Sequence, residues 1–187
     1  MKPPAGKGAR WAAESRQLID PLTGQWVRQI TSHPSIHHHP FFFVPCFDRD
    51  MTRLIFVSHR AGAPQLFAEV QSGEGLIQLT DRDDLAEWSI HPSFDGRSVF
   101  FTAGTSAWRL DLDTLEETRL AEFGKVAMRE RGMVGAAMGT TALSHDDRWW
   151  AVPVRSGSIT HFHCIDTVRG TSEIFLERDT IGHPQFH

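Results

Sequence analysis

The residue type with most scope for chemistry in this sequence is histidine, and its eleven copies are unevenly placed. His33, His37, His38 and His39 crowd together, His91 and His183 each stand directly before a proline, and His161 and His163 flank Phe162. An imidazole near neutral pH can pass a proton, hydrogen-bond a polar ligand or bind a metal. On an extended chain His37 and His39 share a face, so a metal pair is one reading, though two further ligands would have to come from elsewhere. Contact with a substrate or channel is a second reading of this cluster. A polar entry to a strand, hydrogen-bonded to neighbouring loops, is a third.

His91 and His183 fall at one point of a repeat where Cys46 and Ala142 stand in two other units. Residues at such a point either line a ring-shaped site or cap a turn, and the His, Cys and Ala variation shows that closure does not need the histidine. The substrate-binding candidates are therefore His38, His39, His91 and His183, and no metal ligand is assigned in the chain. His161 and His163 share one face of a middle strand without convergent partners, which argues against a ligand role. Asp50, Asp95, Asp146 and Asp147 sit in turn sequences and are read as turn caps. Trp88, Trp108, Trp149 and Trp150 are read as filler between sheets. No Gly-x-Ser-x-Gly elbow, phosphate loop or dinucleotide fingerprint is present, and Gly104, Thr105 and Ser106 belong to a hairpin turn.

Composition narrows the function classes. The formal net charge is −4 and no basic stripe occurs, so nucleic acid is a disfavoured partner. No apolar run approaches the roughly 20 residues of a membrane-spanning helix. The basic first residues lack an apolar signal core, and a cytoplasmic location is expected. Cys46 and Cys164 have no metal-like spacing and are expected to be reduced small hydrophobes. Thirteen phenylalanines and six tryptophans against no tyrosine leave the aromatic surfaces without phenolic hydroxyls.

The elements that must position these side chains read as strands. RLIFVS at residues 53–58 and QLFAEV at 65–70 are rich in β-branched and aromatic residues and are separated by a turn with Gly62 and Pro64. Similar pairs return at residues 98–122 and 149–177, each preceded by an aspartate turn, with a repeat of about 45 to 50 residues. About four short strands per repeat is the pattern of propeller blades. The expected fold is all-β, an incomplete β-propeller: a flexible tail over residues 1–17, or a short helix through Trp11 to Arg16 within it, a partial propeller over 18–187, a hairpin at 18–33 closing the last blade, blades at 36–81, 86–122 and 134–178, and the start of a fourth at 180–187. Residues 125–138 are expected to form a loop or a turn of helix. Because a fourth unit begins and stops, the chain is expected to be the first half of a longer protein.

Several of these stretches together resemble a known family. LIDPLTGQWVRQITS, then HHPFFFVPCF with His38, Cys46 and Phe47, the repeated aspartate turns, DLDTLEETRL and the closing IGHPQF with Gly182, His183 and Pro184 are similar to the amino-terminal half of oligogalacturonate lyases. The resemblance implies a seven-bladed, cytoplasmic enzyme of pectin catabolism. It would break oligogalacturonides by β-elimination, with a histidine base, an arginine and a divalent metal, manganese, neutralising the carboxylate. It also places the base, the arginine and the metal ligands beyond His187, so the 187-residue chain is expected to be inactive. Phe41, Phe42 and Phe43 stand where better-known members carry tyrosine. The alternative is a non-catalytic TolB-like propeller that binds a protein or peptide.

Overall fold

A computed structural model describes residues 6–70, 73–123, 140–156, 158–179 and 184–187. The expectations placed on residues 125–138, on His183 and on the first residues of a fourth blade lie outside the described residues. Within them the chain is all-β, and three antiparallel sheets follow one another as sectors of a partial β-propeller.

The first strand, β1 (Arg10–Trp11), belongs to the first blade, and β2 (Arg16–Ile19) pairs with β3 (Trp26–Gln29) as a separate hairpin. The first blade continues with β4 (His37–His38), β5 (Arg53–Ser58), β6 (Gln65–Val70) and β7 (Gly75–Gln78), in the order β1-β7-β6-β5-β4. The second contains β8 (His91–Pro92), β9 (Ser98–Ala103), β10 (Ser106–Asp111) and β11 (Glu117–Glu122), and the third β12 (Ala142–Leu143), β13 (Trp149–Ser156), β14 (Ile159–Asp166) and β15 (Thr171–Arg178). In each blade the innermost strand, at one edge of its sheet, is the two-residue β4, β8 or β12.

Two apolar seams hold the sectors together. Ile55, Val57, Leu66 and Ala68 of the first blade meet Val99, Phe101, Ala103 and Leu110 of the second, all fully or almost fully buried. Phe100, Ala107 and Leu120 turn the other way, onto Trp150, Val152, Val154 and Ile165 of the third. Successive residues of a strand face opposite sides, so Phe100 and Phe101 serve different seams. A strand buried on both faces needs an unbroken apolar run, which VFF at 99–101, IFV at 55–57 and WAV at 150–152 supply.

Residues 10–11 correct the expectation of a mobile tail or a short helix. Arg10 and Trp11 pair with Ile77 and Leu76 and give the first blade a fifth strand. The cause is local. Trp11 packs edge-on against Phe67 with ring centroids 6.1 Å apart, and the Arg60 guanidinium lies over the indole at 5.3 Å. Gly75, at φ 103°, lets the two strands approach, since a Cβ there would collide with the Trp11 carbonyl.

The turns after the inner strands share one construction. Asp48, Ser93 and Ser144 each accept amide hydrogens from the strand that follows, those of Arg53, Ser98 and Trp149 respectively. Asp95 and Asp146 accept the amides of Arg97 and Arg148, as turn caps. Asp147 differs: its carboxylate accepts the amides of Phe94 and Asp95 at 2.6 and 2.8 Å and so joins the third blade to the second. Arg53 joins the first to the second, donating to Asp48, to the Leu112 carbonyl and to Asp113.

Candidate functional site

The side chains of greatest chemical interest converge where the first and second blades meet. His38 lies on the innermost strand β4, opposite Val57 near the end of β5. His59 follows directly on β5, and Glu87 stands in the connection leading to β8, whose neighbour Leu85 bridges to Ala103. The blade topology puts the start of an inner strand, the turn after the second strand and the approach to the next blade at the same end of the wheel. Residues far apart in sequence thereby become neighbours.

Glu87 Oε2 lies 2.7 Å from His59 Nε2 and 3.4 Å from His38 Nε2. Each of the three offers one donor atom, and these atoms all lie within 4.8 Å of one another. Among the described residues this is the one group of three or more His, Cys, Asp and Glu side chains so arranged. His38 is held from two sides. Its Nδ1–H donates to its neighbour His39's carbonyl at 2.9 Å, and its ring stacks on Trp88 at 4.3 Å, nearly parallel at 18°. A carbonyl only accepts, so the Nδ1 proton is committed and the Nε2 of neutral His38 turns a lone pair towards Glu87. Phe41 meets the other side of this aromatic group, edge-on to Trp88 at 6.5 Å.

The other histidines are distributed differently. His37 faces away from this group: its Nε2–H donates to the His33 carbonyl at 3.0 Å, and its ring packs edge-on to Phe56. Burial lowers its pKa. His37 and His39 belong to no group of three or more converging ligands among the described residues, and His39 is exposed. His91 is only 4% exposed, donates from Nδ1 to the Pro92 carbonyl at 2.8 Å, and has its pKa pushed down to about 4 by burial. It is a neutral imidazole at physiological pH. His161 and His163 share a face as expected; His163 packs on Phe123 and meets Ser172 Oγ at 3.1 Å.

His91 belongs to a second feature, an open groove of about 510 Å³ along the inner strands of the second and third blades. Phe43, Phe94, Leu143, His145 and Trp149 also line it, with Phe94 stacked on His145 at 4.4 Å. The groove is mixed in character, with Ser144, Asp146, Gln185 and His187 among its polar lining residues. Trp150 is fully buried in the seam, as filler, whereas Trp88 stands in the histidine group. Both cysteines are free thiols, and burial pushes their pKa values up.

His59 and Glu87 are the residues that the sequence did not single out. The available signal was topological: once blades are assigned, the turn at residue 59 and the approach at residue 87 must lie beside the entry of β4.

The comparisons with known proteins follow the architecture. No protein-family model and no curated protein sequence matches the chain. Among solved structures, an oligogalacturonate lyase in complex with manganese superimposes with a TM-score of 0.82 at 20% identity, covering 97% of this chain and 52% of that one. An oligogalacturonate lyase from Vibrio parahaemolyticus gives 0.79 at 18% identity, over 96% of this chain and 51% of that one. A putative TolB from Agrobacterium tumefaciens gives 0.52 at 12% identity, over 87% of this chain and 60% of that one. The chain thus spans about half the length of the lyase structures it matches. At these identities the likeness establishes the fold: a partial β-propeller of the kind found in oligogalacturonate lyases and TolB proteins.

Proposed function

We propose that the chain forms the amino-terminal blades of a cytoplasmic, oligogalacturonate-lyase-like propeller that breaks oligogalacturonides by metal-assisted β-elimination in pectin catabolism. The observation that carries this reading is the TM-score of 0.82 over 97% of the chain, against 0.52 for the TolB protein. The higher score against the lyase supports a kinship in blade geometry with it.

Elimination needs a base for the C5 proton and positive charge at the uronate carboxylate, so that the carbanion becomes accessible. A divalent ion such as manganese supplies that charge when bound. The proposal places the base and the arginine in the half of the wheel that this chain does not span. What this chain supplies is the wall. The groove with His91, Phe94 and Trp149 offers apolar surface to the faces of sugar rings, and Ser144 and Asp146 in its lining offer polar groups. Phe41, Phe42 and Phe43 pack on one another without hydroxyls, which favours ring-face contact over hydrogen bonding.

The test is the protein at its full natural length, incubated with digalacturonate and manganese while ultraviolet absorbance is followed. A rise from the new C4–C5 double bond, abolished by chelator, is expected; the 187-residue chain alone should stay flat. A flat trace from the full-length protein under both conditions removes the lyase reading.

A further inference from the structure

We propose that His38, His59 and Glu87 form a binding site for one divalent first-row transition-metal ion, with Zn²⁺ preferred over Mn²⁺, that ties the first blade to the second. The inference does not depend on the elimination reading, because it rests on side chains of this chain alone.

The donor set comes first. Two imidazole nitrogens and one carboxylate oxygen are a combination that binds first-row divalent metals, and nitrogen-rich sets follow the order that places zinc above manganese. The three donors, His38 Nε2, His59 Nε2 and Glu87 Oε2, already converge within 4.8 Å. Ligands of a tetrahedral zinc stand about 3.3 Å apart, as bonds of about 2.0–2.2 Å require. The observed separations of 2.7 and 3.4 Å from Glu87 lie on either side of that value.

The support behind the ligands is the second argument. A metal-binding histidine characteristically donates its other ring hydrogen to a carbonyl or carboxylate, which fixes the tautomer and the ring plane. His38 does so towards the His39 carbonyl, and Trp88 stacks on the ring. With that hydrogen committed, the neutral His38 points an Nε2 lone pair at a carboxylate oxygen 3.4 Å away. Two lone pairs facing one another repel, and a metal ion between them turns that contact into coordination. His59 Nε2 lies 2.7 Å from the same oxygen, so one ion can engage all three donors.

Access and consequence complete the case. The side chains of His59 and Glu87 are about a quarter exposed, so an ion can enter and a coordination position stays open to solvent. His38 and His59 belong to the first blade and Glu87 to the approach to the second, so the ion would bridge the seam. Binding only to the folded arrangement, it would raise stability by mass action.

The experiment is a titration of chelator-treated protein with Zn²⁺ and with Mn²⁺ by calorimetry, with Co²⁺ absorption as a spectroscopic probe and thermal melting alongside. The expected result is one equivalent of Zn²⁺, bound at least about tenfold more tightly than Mn²⁺, a higher melting temperature, and Co²⁺ bands of a low-coordinate N,O site. Glu87→Gln and His59→Asn should each weaken Zn²⁺ binding about tenfold or more and remove the Co²⁺ bands, while His161→Ala, at the His161–Glu177 pair, should change neither. If Glu87→Gln does not fold, His59→Asn carries the comparison, since its ring lies in an open turn. Absence of Zn²⁺ binding overturns the proposal, and so does Zn²⁺ binding that both variants leave unchanged. An ion pair with a protonated His38 would then explain the contact.

Discussion

Two buried or half-buried ionisable groups show how single residues set this protein's tolerance to pH. His91 has a pKa of about 4 in the folded chain against about 6.5 when exposed, because burial disfavours its charged form. The unfolded state therefore takes up a proton in that interval that the folded state refuses. Stability is intact above about pH 6.5 and falls as pH drops towards 4, by up to about 1.4 kcal/mol per unit. Urea unfolding measured across this window should show that slope, and His91→Gln should flatten it. Glu14 acts lower. Burial raises its pKa, but hydrogen bonds from Arg60 and Thr31 and the charge of Arg60 outweigh that and hold it at about 2. Its contribution is present above about pH 4.5 and is lost as pH falls to 2. Arg60 itself is fully buried, forked onto Glu14 at 2.8 and 3.2 Å, so Arg60→Ala should cost about 3 kcal/mol by stranding Glu14 and opening a void beside Trp11. Some of this was legible in sequence and some was not. Turn-capping by Asp95 and Asp146 is local chemistry, readable from Asp-Gly and Asp-Asp turns. The partners of Glu87 lie 49 and 28 positions away at His38 and His59, and no spacing rule reaches that far.

At the scale of elements, the seams and the pairing of edges decide what each change does. Trp150 is fully buried between the second and third blades beside Phe100 at 5.5 Å, so Trp150→Ala should destabilise by about 3–5 kcal/mol. Chemical denaturation would read this directly, and Trp149→Ala, at the groove surface, should cost far less. Gly75→Ala should release β1, since the methyl meets the Trp11 backbone in a positive-φ position. Hydrogen exchange should then quicken at Gln78 and Gly8, whose amides bond across that edge, while the third blade stays protected. The long strands β5 and β9 were plain from RLIFVS and SVFFTA, whose apolar runs demand two buried faces. β1 was not, because two residues, Arg and Trp, carry no periodicity and their strand is held by the distant Gly75, Phe67 and Arg60. The first inner strand is also broken: His37 and His38 pair with one end of β5, and Phe47 bridges to Leu54 nearer the other. Residues 39–45 leave the sheet between them, and their prolines at 40 and 45, which lack amide hydrogens, explain the break.

For the whole molecule, the unpaired faces matter most. The β2–β3 hairpin exposes Ile19, Trp26 and Val27, and β15 exposes Ile174 and Phe175 on the last strand of the third blade. An apolar surface of this kind, beside an open strand edge, favours association. The 187-residue chain should therefore sediment with concentration-dependent mass, and Trp26→Ser combined with Phe175→Ser should reduce it; a monodisperse monomer would show that those faces are satisfied within the chain. The repeat of about 45 to 50 residues was enough to read a wheel from sequence, since each blade carries the same strand pattern and the same turn. The substrate was beyond it, because a propeller's ligand is chosen by side chains gathered from many blades. The lyase reading is tested most directly by proton NMR of digalacturonate after incubation with full-length protein and manganese. The account predicts a vinylic H4 signal from an unsaturated uronate together with a saturated reducing end. Unchanged disaccharide, or saturated galacturonate alone as hydrolysis would give, would contradict it.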